Sequence, residues 1–323
     1  RMYRWLLCFR YLKTRYIALA SIISVTLGVA TLIVVNAVMS GFSAEMHERL
    51  HGLASDIMIE CHATGGMPDP DAHLREIAKI CGPALVGSSV SVNVPAMLGI
   101  EFRGQQIGRH VNLIGLDAET YDSVSDFGKY LLHPENQTAA SFELREGGYA
   151  PDRPELAFAG WRHRRDWVHR QRLHDKALAE ERRVMEELRR SATGESEEDD
   201  ASEDAAAGPS MFGPSMSEGL IDGSGGELVA TMDPMREQFP GIILGISTCS
   251  VRGRDADGEV VDHYYAQPGD DVRMIFPNAA NETKVINQKF TVVDLYESGM
   301  SEYDSTFAFV RLDRLQEFRG MIN

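Results

Sequence analysis

The chain has 323 residues, 43% of them apolar, and a net charge of −16. That apolar share is enough to build a packed core, and the acidic balance excludes a nucleic-acid partner, whose phosphates require a basic surface. Part of the acidity sits in one short tract, so the total overstates the charge of the folded surface.

Residues 1–16, RMYRWLLCFRYLKTRY, interleave five basic residues with Trp5, Leu6, Leu7, Phe9 and Leu12. The pattern fits a basic amphipathic segment on the inner face of a membrane, and equally a basic flank with an aromatic belt. From Ile17 to Met39 no residue is charged. At about 1.5 Å per residue that run covers roughly 35 Å, enough to cross a bilayer core. A buried helix of a soluble core fits poorly, because polar flanks bound the run on both sides. A cleaved signal peptide also fits poorly, since the run exceeds the roughly 7–15 residues of an h-region. A transmembrane helix is therefore predicted over 17–41.

Arg1, Arg4, Arg10, Lys13 and Arg15 precede this helix, while Glu45, Glu48, Asp56 and Glu60 follow it against Arg49 alone. The positive-inside rule puts the N-terminus in the cytoplasm and everything after Gly41 outside it. Within the helix, Ala20, Ser24 and Gly28 recur every fourth residue, a spacing that lets another helix backbone come close. Thr31 and Asn36 are polar groups that seek a bundle or a cavity rather than lipid.

Beyond the membrane the pattern turns to short runs. SDIMIEC (55–61) reads as a strand and PDPDAHLREIAKICG (68–82) as a helix with Leu74, Ile77, Ala78 and Cys81 on one face. Residues 86–102 read as a strand pair bent at Pro95, 110–116 as a strand, and Tyr121 to Leu132 as a short helix. Strands are expected again in 239–247, 271–276, 289–296 and 305–312, with a closing helix at 312–321. Helices and strands mix without βαβ order, so the expected class is an α+β extracytoplasmic domain on an N-terminal transmembrane helix. Its first part is placed at 42–149 and its second at 239–323.

An insertion, 150–238, separates the two. A charged helix over 157–190 carries a thin apolar stripe of Leu173, Ala177, Val184 and Leu188. His163, His169 and His174 fall in it as solvated side chains. GESEEDDASEDAAAGPS (194–210) then opens a stretch without core positions, and 191–228 is predicted to be disordered.

Little here points to catalysis. There is no GxxxxGK[ST], HExxH, GxSxG or CxxC, and Gly223, Gly225 and Gly226 lie in a polar tract without a flanking strand and helix. His62, Asp69, Asp71 and His73 bracket a loop that reads as a solvated turn, with Asp71 near a helix start. No catalytic residue, metal or cofactor is expected. Cys8 lies before the membrane helix and Cys61, Cys81 and Cys249 after it, so a Cys61–Cys81 disulfide is open on spacing alone.

Several stretches together resemble the permeases of lipoprotein-releasing (Lol-type) ABC transporters, within the wider MacB-like and FtsX-like permease family. They are FRYLKTRY (9–16) with the apolar helix and VMSGF (38–42), VNLIGLD (111–117), PGIILG (240–245), PGDDVRMIFP (268–277) and FTVVDLYESGMSEYDSTFAFVRL (290–312). The most specific match is the run holding Gly299, Met300, Glu302, Tyr303 and Asp304. The resemblance covers about 1–132 and 239–321, leaving 150–230 unmatched. It implies four membrane helices, three of them beyond Asn323, so the chain reads as a fragment. It also implies a separate cytoplasmic ATPase subunit, a second permease chain like or unlike this one, and lipoprotein cargo. Acyl chains would then pass Thr31, Asn36, Met39 and Phe42. PNAANETKVINQ (277–288) is short and lacks the second proline of the hook with which some members capture a periplasmic carrier. Two other functions fit the same residues: an FtsX-like regulator of a cell-wall hydrolase, and a single-pass anchored binding domain.

Overall fold

The computed structural model describes residues 3, 10, 16–53, 55–61, 63, 65–150, 152–193, 232–254, 258–280 and 284–321. They form two compact units, Arg1–Asp56 and Ile57–Asn323.

Among the described residues the first unit is dominated by one long helix, α1 (Tyr16–Leu53). Its Leu19–His47 stretch, with a mean hydropathy of 2.3, is long and apolar enough to cross a membrane. The helix does not end at Gly41 as expected. Ala44, Glu45, Met46, Glu48 and Leu50 are strong helix formers that carry the backbone past one glycine. Residues 42–53 therefore belong to the helix and not to the domain that follows.

In the second unit no described residue from 57 to 90 is buried. The strand expected at 55–61 is not formed, because the segment joins no ladder, and Ile57, Met58 and Ile59 stay exposed. Helix α2 (Pro70–Cys81) does form. Asp69, not Asp71, caps it by accepting from the Ala72 N–H at 3.1 Å, and Pro70 supplies a pre-set first turn. Its apolar face is left uncovered: Leu74 and Ile77 are half-buried, Ala78 and Cys81 exposed.

The core is a closed six-stranded barrel. Strands β1 (Ser91–Phe102) and β2 (Gln105–Leu116) form a hairpin, and β3 (Gly241–Gly245), β6 (Asp271–Pro277), β7 (Val285–Tyr296) and β8 (Phe307–Arg311) complete the order β1-β2-β8-β3-β7-β6. The β2–β8 and β3–β7 pairs are parallel and the rest antiparallel. Residues 91–102 are one strand, with no bend at Pro95. The closing partner β6 pairs with β1 only at Met97–Gly99, so the missing proline N–H costs no bond on that side. Along β1, Val92, Val94, Ala96, Leu98 and Ile100 alternate inward with period two. The β1–β2 turn needs a left-handed backbone at both Arg103 (φ 51°) and Gly104 (φ 76°), as a two-residue type I′ turn does.

Strands β4 (Ser250–Arg254) and β5 (Val260–Tyr264) make a separate hairpin that the sequence pattern did not predict. The helix expected over 121–132 is two short turns, α3 (Ala118–Tyr121) and a 3₁₀ turn at Phe127–Tyr130. Asp117 caps α3 early, and Ser125 bonds the Phe127 N–H instead of letting a helix continue. Phe127 then packs on Phe309 with ring centroids 4.4 Å apart. Three further short helices are α4 (Pro134–Thr138), α6 (Ile246–Cys249) and α7 (Ser301–Thr306). Helix α8 (Leu312–Arg319) lays Leu315 against Gly115.

The insertion is less separate than expected. Ala150, Leu156 and Ala159 are core residues, and its charged helix, α5, runs over Trp161–Thr193. Its return, 232–238, is stitched to the unit by Gln238, which bonds the backbone of both Leu144 and Phe142. Residues 191–193 are helical, and 194–228 of the expected disordered stretch lie outside the described residues.

Candidate functional site

At about 100° per residue, Ala20, Ser24, Gly28, Thr31, Met39 and Phe42 fall within an arc of roughly 100° on α1, and Asn36 lies about 60° beyond it. The expected packing and cargo-lining sets thus share one face. Ser24, Leu27, Gly28, Thr31, Leu32, Val35 and Asn36 line a shallow groove on it, with Ala20, Met39 and Phe42 outside the groove. Within the chain this face asks for little. A Cβ on Gly28 would meet nothing within 4 Å. The Thr31 hydroxyl donates to the Leu27 carbonyl at 2.8 Å, so its polarity is satisfied one turn back. Among the described residues neither the Asn36 amide nor the Ser24 hydroxyl has a hydrogen-bond partner, which leaves these two polar groups of the groove open to another molecule.

The 298–306 turn between β7 and β8 is structural. Asp304 is buried and accepts from the Ser298 N–H at 2.9 Å and the Ser298 hydroxyl at 2.7 Å. Burial pushes its carboxyl up from the ordinary value, and the Ser298 bonds pull against that. The Thr248 hydroxyl donates to the Asp304 carbonyl, and the Tyr296 hydroxyl to the Tyr303 carbonyl at 2.6 Å. Gly299 takes a φ of 75°, and Met300 is buried. Tyr303 stacks at 5.2 Å on Phe307, and Glu302 stays exposed. These side chains hold a turn closed and present no nucleophile with a base.

Two buried polar clusters were not foreseen from the sequence. In β7, Asp294 is fully buried and accepts from the Asn136 amide at 2.7 Å and from the Leu295 and His133 N–H groups. Burial pushes its carboxyl up to about 7, against the pull of those donors and of Arg145. Arg145 bonds Asn136 Oδ1 and pairs with Glu135, while the Tyr149 hydroxyl donates to the Val293 carbonyl. This cluster pins residues 131–150 onto the barrel.

The second cluster anchors α5. Arg164 is buried and donates to Asp271 at 2.5 Å and to the Pro234 and Gly269 carbonyls, and Thr291 donates to the same Asp271. His163, expected to be solvated, meets Asp270 at 2.6 Å and Gln267 at 2.8 Å. The available signal was the lone aspartate in the apolar run FTVVDLY and the Asp270–Asp271 pair opening a strand. Cys61 and Cys81 are exposed and free, so no disulfide joins them, and Cys249 is buried and free.

No protein-family model matches the chain, and no curated protein matches it.

Proposed function

We propose that this chain is the permease subunit of an ABC transporter that releases lipoproteins from the cytoplasmic membrane. Helix α1 spans the bilayer with its N-terminus in the cytoplasm, and the barrel unit lies on the extracytoplasmic side. The chain is itself non-catalytic and carries no cofactor; a separate cytoplasmic ATPase subunit hydrolyses ATP, and a second permease chain faces α1.

One observation carries this reading: a single face of an apolar helix combines a Gly28 notch with an unpartnered Asn36 amide. The notch lets a second helix or an acyl chain approach the backbone closely. In hydrocarbon an unmet amide costs free energy, so Asn36 seeks a partner helix or the polar end of a lipid anchor. Thr31, Met39 and Phe42 continue the same face as the cargo path. Because α1 is one helix to Leu53, a tilt imposed at its cytoplasmic end is carried past the membrane without a joint.

Gly28→Leu tests the proposal. A Cβ there meets nothing within 4 Å among the described residues, so a loss of activity reads as a clash with a partner at that face. Overpacking there costs about 1–3 kcal/mol, and lipoprotein-stimulated ATP hydrolysis by the reconstituted complex should fall about tenfold, the factor that 1.4 kcal/mol supplies. Ala30→Leu, which adds bulk about 160° around the helix from Gly28 and outside the groove, should leave hydrolysis unchanged. Full stimulation in an assembled Gly28→Leu complex would contradict the proposal.

A further inference from the structure

Helix α5 is anchored through its first two turns, where Arg164 and Val168 are buried; from His169 to Arg189 every residue is exposed. At 100° per residue, Leu173, Ala177, Val184 and Leu188 line one strip, and Trp167, Leu178 and Met185 widen it to an arc of about 140°. Of the anchoring side chains, Arg164 and Val168 lie outside this arc and His163 within it, but past Val168 every described residue of the arc is exposed. It is broader than the thin stripe expected from the sequence, and it stands open to solvent: Leu173 is 53%, Leu188 59% and Met185 69% exposed.

We propose that this face of α5 pairs with the same face of a second copy of the chain, the two helices running antiparallel about a twofold axis near Glu181. The pattern is self-complementary in that direction. Leu173 and Leu188 lie equally far from the midpoint between Glu180 and Glu181, and so do Ala177 and Val184. An antiparallel pair therefore sets leucine opposite leucine and alanine opposite valine.

The polar border of the arc agrees. Lys176, Glu180, Arg183 and Glu187 lie along one edge, and antiparallel helices bring like edges together. Lys176 then faces Glu187 of the other copy, and Glu180 faces Arg183 of the other copy, each twice by symmetry. A parallel pair would set this charged edge against the apolar edge holding Leu178 and Met185. The axis also carries like charges, since Glu180 and Glu181 of one copy stand level with Glu181 and Glu180 of the other, a cost that the apolar pairs and the flanking opposite charges offset. The pairing goes beyond the permease reading: it uses a segment outside the resemblance and holds for any function of the barrel unit.

Cysteine cross-linking of the full chain in native membranes tests both contact and direction, with Cys8, Cys61 and Cys81 replaced by serine. Glu181→Cys should form an interchain disulfide on mild oxidation. Leu173→Cys should cross-link when co-expressed with Leu188→Cys but not with itself, because its two copies would stand about 20 Å apart, beyond disulfide reach. In detergent, Val184→Glu should weaken dimerisation at least about tenfold without shifting thermal unfolding, since Val184 is exposed among the described residues. Lys176→Glu should also weaken it, and adding Glu187→Lys should restore it. Self-cross-linking of Leu173→Cys, or a parent dimer indifferent to both Val184→Glu and Lys176→Glu, would overturn the proposal.

Discussion

Gly245→Ala is expected to lower the unfolding free energy of the barrel unit by about 3 kcal/mol or more, at the upper end of what overpacking costs. A Cβ at this position would stand 2.0 Å from the Asp304 carbonyl oxygen and 2.6 Å from its carbon, both backbone atoms that cannot swing aside. The 298–306 turn would have to withdraw, and with it would go the bond from Thr248 to that carbonyl and the seat of the buried Asp304 carboxyl. Gly108→Ala is the matched control, since a Cβ there meets nothing within 4 Å; an exposed change of this kind stays within about 0.5 kcal/mol. Urea unfolding of the two variants beside the parent measures the difference. Equal midpoints would mean that the turn does not rest on β3 as described.

A second large effect is a pH dependence centred on Asp294. Burial raises its carboxyl in the folded chain to about 7, against an ordinary value of 3.8. The fold thus favours the protonated form. Its contribution is fully present below about pH 4 and is lost as pH rises through about 7. At 1.36 kcal/mol for each pH unit, the interval of roughly three units corresponds to about 4 kcal/mol. Arg145, Glu135, His133 and Tyr149 surround the site, and the pull of Arg145 is already contained in the value of about 7. The thermal midpoint should therefore fall between pH 5 and pH 8. Asp294→Asn should flatten that slope while lowering stability at pH 5 by about 1–3 kcal/mol, because one of its donors is left unpaired. An Asp294→Asn profile as steep as the parent's would place the titration elsewhere.

The elements legible in the sequence are those whose signals are local. The spacing of Leu74, Ile77 and Cys81 and the Gly82 stop write α2, uninterrupted apolarity writes α1, and alternation writes β6 and β8. The barrel was not legible, because its closure rests on three residue pairs between β1 and β6, distant in sequence and carrying no signature of their own. Residues 55–61 show the converse: SDIMIEC has the alternation of a strand, but no described strand pairs with it in a ladder. The polar clusters were hidden for a similar reason. Arg164 read as one of many surface arginines until the fold set it against Asp271 and the Pro234 and Gly269 carbonyls. On α1 the small residues and the polar residues were each visible, but their shared groove required the helix rotation to be followed from Ser24 to Asn36.

The central claim is that α1 crosses the cytoplasmic membrane with the barrel unit outside, and the native cysteines measure it directly. Cys61 and Cys81 are exposed, Cys249 is buried, and Cys8 precedes the helix. A membrane-impermeant maleimide added to intact spheroplasts should label Cys61 and Cys81 at once. It should reach Cys8 only after the membrane is opened, and Cys249 only after the barrel unit is unfolded. Labelling of Cys8 in intact spheroplasts, or protection of Cys61 and Cys81, would contradict the span or its direction.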